Sequence, residues 1–172
     1  MKTENWKAEL PQGFSTESRV WIYQANRQLN ESETNQLKEK LDIFCDEWMS
    51  HGRPVKGWAK ILFNQFIVFI SDDTQDRLCG SAVDNSIRFI KEIENQFELS
   101  LLDRMMMAFL VNDHIKVYPV NKINQALENG LINEDTLYFN NTVTTKSSLE
   151  NNWIMKLKES WLAKKINLPK MI

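Results

Sequence analysis

Gly57-Trp58-Ala59-Lys60-Ile61-Leu62-Phe63-Asn64-Gln65-Phe66-Ile67-Val68-Phe69-Ile70-Ser71 is the stretch on which the reading of the fold turns. Two apolar runs, residues 57–63 and 66–71, flank the polar pair Asn64-Gln65. A two-residue break opening with asparagine, between β-branched and aromatic runs, predicts a tight antiparallel hairpin, although the glycine of the strongest signal is missing.

A helical pattern lies on each side of this hairpin. Upstream, Asn30 is placed to cap a helix, with Glu33 three residues on to reach back to it. Leu37, Leu41, Phe44, Cys45 and Trp48 then recur at helical spacing, and Gly52 and Pro54 follow as stop signals. Before that helix, Val20-Trp21-Ile22-Tyr23 has the β-branched and aromatic character of a strand within residues 19–29. Downstream, residues 72–80 are polar, and Ser81 with Asp84 is expected to open a second helix. Its predicted buried stripe is Val83, Ile87, Ile90, Ile93 and Phe97.

Residues 105–111 and 114–120 predict a further hairpin around Asn112-Asp113. Met105, Met107, Phe109 and Val111 on one face, and Met106, Ala108 and Leu110 on the other, are all apolar. Such a strand needs cover on both sides, from helices, from the chain termini or from a second subunit. A short helix over 122–129, a short strand over 137–143 and helical pieces over 147–153 and 159–166 complete the pattern. The expected fold class is α+β: an antiparallel sheet with two main helices, a ferredoxin-like βαββαβ core, an extra hairpin strand and a helical C-terminal tail. All 172 residues read as a single domain, with an arm over 1–18, the α+β core over 19–143 and a basic tail over 144–172.

Composition excludes several functions. The apolar share is 42% and the charged share 26%, so no long stretch is expected to be disordered. A formal net charge of −2 argues against duplex binding, which depends on neutralising phosphates. The charge is uneven: Lys146, Lys156, Lys158, Lys164, Lys165 and Lys170 face only Glu150 and Glu159 in the tail. That pattern is the solvated face of a helix or an anion-binding segment. Residues 64–68 lack the Lys/Arg-Gly start of the RNA-recognition signature, so no nucleic-acid partner is expected. The longest apolar stretch, residues 66–70, is too short to span a bilayer, so no membrane insertion is expected. Residues 1–9 are charged and lack the apolar run of a signal peptide, and two cysteines make no disulfide framework. A cytoplasmic location follows as the expectation.

The five glycines are scattered, so neither a P-loop nor a dinucleotide fingerprint is present. His51 and His114 lack spaced ligand partners, and no metal site or cofactor is expected. Three sets of residues remain as candidate ligand-binding positions. Around Gly80, a sharp turn into a helix puts Cys79, Ser81 and Asp84 near free backbone amides, as a cap or as a nucleophile site. At the end of the first strand, Gln24, Asn26 and Arg27 are expected near Asp103 and Arg104, as a ligand clamp or as a structural ion pair. The third set is Asn140 and Asn141 within Phe139-Asn140-Asn141-Thr142, which bond to neighbouring backbone or line a pocket. Of the six tryptophans, most are expected to fasten the arm and the tail.

Ser18-Arg19-Val20-Trp21-Ile22-Tyr23-Gln24-Ala25-Asn26-Arg27 resembles the opening of a family of small bacterial proteins often labelled "ABC transporter ATPase". His51-Gly52, residues 64–68 and 101–105, Phe139-Asn140-Asn141, Trp153 and Ser160-Trp161 are similar as well, so the resemblance covers nearly the whole chain. It implies little about activity, because an ABC ATPase needs a P-loop and a much longer chain. The family has a Gly-Cys-Ser-Ile-Asp-like stretch where this chain reads Gly80-Ser81-Ala82-Val83-Asp84. Ser81 thus stands at the family's cysteine, which weakens any thiol mechanism the resemblance implies. The leading expectation is a non-catalytic domain that binds a protein partner or itself. The alternative is a small-molecule or anion-binding protein, or an enzyme, using polar residues at one end of the sheet. A concave site with convergent polar groups favours the second.

Overall fold

The computed structural model describes residues 5–166. Residues 1–4 of the expected arm, and 167–172 of the expected tail with Lys170, lie outside the described residues. In chain order the main elements are β1 (Arg19–Gln24), α1 (Glu31–Glu47), β2 (Met49–Ser50), β3 (Arg53–Pro54), β4 (Gly57–Leu62) and β5 (Phe66–Ser71). They continue with α2 (Gly80–Phe97), β6 (Met106–Val111), β7 (His114–Pro119), α3 (Ile123–Glu128), β8 (Leu137–Phe139), α4 (Lys146–Asn152) and β9 (Ile154–Lys156).

The chain is α+β with antiparallel sheets. All six residues of β5 are buried, because it is the central strand of a three-stranded sheet in the order β1-β5-β4. One face of that sheet, with Tyr23, Ala59, Ile67 and Phe69, packs on Leu37 and Leu41 of α1 and on Ile90 and Ile93 of α2. The other face, with Val20, Leu62, Phe66, Val68 and Ile70, packs on Ala108, Ile115, Phe139, Leu149 and Trp153. A ferredoxin-like sheet covers only one face with its two helices. Here the second face is equally apolar, so another layer must cover it.

That requirement explains the main departure from the expected topology. In a ferredoxin-like order β6 would lie beside β1. Instead β6 belongs to a second sheet, β7-β6-β8-β9, which covers the second face of the first. Ala108 and Leu110 of β6 face the first sheet, while Met107 and Phe109 face Ile123, Ala126, Leu157 and Leu162. Both apolar faces of β6 are thus covered by this chain's own elements.

Local departures have local causes. The turn of the first hairpin is centred on Phe63 and Asn64, both at positive φ (55° and 52°), with Gln65 N–H donating to the Leu62 carbonyl at 3.2 Å. Asn112 and Asp113 make the equivalent turn in the second hairpin, also at positive φ (49° and 62°). α1 ends at Glu47, ahead of Gly52, because Trp48 leaves the helical conformation and buries its indole, with Nε1–H donating to the Ala82 carbonyl at 2.9 Å. Gly52, at φ 74°, turns the small β2–β3 hairpin instead. The N-cap of α2 is Cys79, two residues before the expected Ser81, and its buried stripe begins with Ala82 and Ser86 in place of Val83 and Ile87. The expected strand over 137–143 stops at Phe139, and the expected helix over 159–166 is a short 3-10 turn, Trp161–Lys164.

The arm and the C-terminal segment meet at two tryptophans. Trp6 packs edge-on against Trp153 at 4.8 Å between ring centroids. The lysines of the expected basic tail are largely engaged: Lys146 pairs with Glu150, and Lys156 and Lys158 both reach Asp135. Among the described residues no helix is long and apolar enough to cross a membrane.

Candidate cleft at the edge of the first sheet

Displacement of β6 leaves β1 as an edge strand, and a cleft of about 850 Å³ opens along it. Residues 20–24 form one wall; residues 101–107 and segments within 120–124 and 138–144, with Trp161, Lys165 and Ile166, contribute the others. The loop over 101–104 is held by the end of α2. Glu94 Oε1 accepts the N–H groups of Leu101 and Leu102 at 2.6 and 3.0 Å, and Asp103 Oδ1 accepts the Met105 N–H at 2.9 Å.

A relay of side-chain amides joins the walls. Trp153 Nε1–H donates to Asn141 Oδ1 at 3.0 Å, Asn141 Nδ2 donates to Gln24 Oε1 at 2.9 Å, and Gln24 Nε2 donates to the Met106 carbonyl at 3.3 Å. An indole can only donate and a carbonyl can only accept, so the direction of both intervening amides is fixed. Gln24 is 8% exposed, so its amide is bound to protein partners and largely shielded from water. The relay therefore sets the spacing of β1 and β6. Replacing Gln24 with leucine keeps the bulk and strands the Met106 carbonyl and the Asn141 amide. The expected cost is about 1–3 kcal/mol, read as a lower urea midpoint. An unchanged midpoint would show that the relay does not hold the walls together.

Electrostatics in the cleft tilt toward anions. Its ionised side chains are Asp103, Arg104 and Lys165. Among the described residues neither Arg104 nor Lys165 has a salt-bridge partner, and the Lys165 ammonium lies 5.3 Å from the Trp161 ring centroid. Burial raises the pKa of the Tyr23 phenol, with the Ser86 hydroxyl and the Arg104 charge opposing. Burial likewise pushes Tyr138 up to about 12, against the pull of Trp161, and its hydroxyl points at Met107 Sδ at 3.5 Å. Both phenols are therefore neutral hydrogen-bonding groups at neutral pH.

Of the residues singled out from sequence, Asp103, Arg104 and Asn141 line the cleft together with Gln24. Arg27 turns away from Asp103. Its guanidinium makes a bidentate pair with Glu33 at 2.8 and 2.9 Å and donates to the Phe97 carbonyl at 2.9 Å. That pairing, with the Asn30 N–H of the capping box, holds the Glu33 carboxyl down at about 2. Asn26 ties its strand end to Ser100 through Asn26 N–H and Oδ1, and Asn140 bonds the Asn152 carbonyl and Thr142. Ser81 and Asp84 are exposed in the first turns of α2 and do not line the cleft. Trp21, Ile22, Trp161 and Lys165 also line the cleft but belong to no site motif in the sequence; the excess of lysine in the tail was the available signal for one of them.

Cys79 forms a separate arrangement at the start of α2. Its Sγ receives the Ser50 hydroxyl at 3.4 Å and lies 3.0 Å from Ser81 Oγ, while its own N–H donates to Ser50 Oγ at 3.0 Å. The Ser50 and Ser81 hydroxyls, then the backbone of His51 and Ala82, bring the thiol down to about 6. Cys45 goes the other way: burial first, then Asp42 and Asp46, push it up to about 12. Among the described residues no three His, Cys, Asp or Glu side chains gather as a metal-binding set.

Compared with protein-family models, with curated proteins and with solved structures, the chain matches none.

Proposed function

We propose that the protein binds a small organic ligand, apolar in body and anionic at one end, in the cleft between β1 and β6. The observation that carries this reading is the cavity of about 850 Å³ whose polar groups converge from five separate segments. Small-molecule sites have volumes of roughly 300–1,000 Å³ and pair apolar walls with a few placed polar groups. Trp21, Ile22, Met106 and Ile166 supply the apolar walls, and Arg104 and Lys165 supply the charge for the anionic end. The leading expectation from sequence, a non-catalytic domain that binds a protein partner or itself, rested in part on the two-faced strand β6. Both of its faces are covered from within the chain, so that observation no longer supports it.

The test uses anilinonaphthalene sulfonate, an apolar-bodied anion whose emission rises on leaving water. Saturable binding at one site is expected, with quenching of tryptophan emission because Trp21 and Trp161 line the cleft. Reversing both charges, Arg104→Glu with Lys165→Glu, is expected to weaken binding at least about ten-fold, the equivalent of ~1.4 kcal/mol. Absent or non-saturable binding by the wild type, or equal binding by the variant, would sink the proposal.

A further inference from the structure

We infer that the ligand class is a short extended peptide acid, with one residue completing the edge of β1 and its carboxylate facing Arg104 and Lys165. This rests on the proposed function of the cleft and goes further in naming what fills it.

The argument starts from the alternation of an antiparallel ladder. Residues of an edge strand point their N–H and C=O groups alternately toward and away from the neighbour. Val20 N–H donates away from β5, to the Thr144 carbonyl at 2.9 Å, and Ala25 N–H donates toward it, to the Gln65 carbonyl at 2.8 Å. Both observations put the backbone groups of Val20, Ile22 and Gln24 on the outer edge. At one end that edge is already paired, by the Val20–Thr144 bond and an antiparallel bridge between Arg19 and Thr145. At the other end the Gln24 side chain spans to the Met106 carbonyl. Between them lies Ile22, whose outward N–H and C=O have no partner among the described residues and sit in the wall of the cleft.

A donor and an acceptor on one residue, at strand spacing, match an amino-acid residue in the extended conformation, which returns both bonds. A fatty acid or a simple aromatic acid has an acceptor for the N–H and no donor for the C=O. The open edge is short: four residue steps from residue 20 to residue 24 are about 13 Å, room for about three peptide residues. The two cations of the cleft, unpaired among the described residues, suit the terminal carboxylate of such a peptide. The Val20–Thr144 pairing at one end, and the Gln24 side chain crossing to Met106 at the other, favour a free short peptide over the terminus of a longer chain.

The experiment follows the backbone amide of Ile22 by nitrogen-15 NMR while an equimolar pool of N-acetyl tripeptide acids built from apolar residues is added. The pool is expected to displace anilinonaphthalene sulfonate, shift the Ile22 amide and slow its hydrogen exchange. From the best-binding member, an analogue with its central peptide N–H replaced by an ester oxygen, and one with its carboxylate methylated, are each expected to bind about ten-fold more weakly. A ten-residue peptide with the same three C-terminal residues is expected to bind more weakly still. Equal or tighter binding would assign the site to a protein terminus and overturn the free-peptide class. If the sulfonate binds saturably and the pool neither displaces it nor moves Ile22, this inference falls and the cleft remains a ligand site. If the sulfonate itself fails to bind, the underlying reading falls too.

Discussion

A limiting amount of iodoacetamide at pH 7 is expected to label Cys79 and leave Cys45 intact, read by mass spectrometry of the digested protein. The thiolate is the reacting form, and raising the pH produces it. With a pKa of about 6, Cys79 is mostly ionised at neutral pH, whereas Cys45 at about 12 is ionised to roughly one part in 10⁵. Lower basicity also lowers intrinsic nucleophilicity, by roughly half a decade per pKa unit, which offsets about three of those five decades. The net preference is therefore about a hundred-fold, before the burial of Cys45 adds to it. The rate at Cys79 is expected to climb through pH 6 and level off by pH 8. Replacing Ser50 with alanine removes the hydroxyl that stabilises the thiolate most and is expected to move that climb to higher pH. Comparable labelling of the two thiols in the native protein would refute the assignment.

That thiolate also shows where sequence reading stops. Gly80 and a following helix were legible as a turn into a helix start, and so was the chance that Cys79 sits near backbone amides. The partner that matters most, Ser50, is 29 residues away on a two-residue strand with no periodicity of its own. The same limit applies to the cleft. Both long hairpins, both long helices and the Asn30–Glu33 capping box follow from local patterns. The Gln24–Asn141 bond joins residues 117 apart, and nothing local to either announces it. The strands Leu137–Phe139 and Ile154–Lys156 are too short to show an alternation. One miss was avoidable. The rule that a strand apolar on both faces needs two layers of cover applies to Phe66–Ser71 as well as to β6. Applied there, it calls for a second layer where a single ferredoxin-like sheet has none.

Trp153→Ala is expected to cost about 3–5 kcal/mol, the range for deleting a fully buried large aromatic ring. Trp153 is 0% exposed, and its ring meets Trp6 at 4.8 Å, Phe66 at 5.3 Å and Phe63 and Phe139 at 5.7 Å. Those partners come from the arm, the first sheet and the second sheet, so no single segment can move in to fill the void. The indole is also the donor that starts the relay through Asn141 to Gln24. Against a typical total stability of 5–15 kcal/mol, the loss is large enough to bring the urea midpoint down sharply. Trp153→Phe separates the two roles: it keeps most of the packing and deletes the donor, so a smaller loss of about 1–3 kcal/mol is expected, with the cleft amides freed to reorient. The arm supplies a further readout. With its aromatic partner gone, Trp6 loses its anchor, and trypsin is expected to cut after Lys7 faster in the alanine variant than in the phenylalanine one. Equal stability losses in the two variants would show that the hydrogen bond, and not the ring packing, fastens arm, sheets and cleft together.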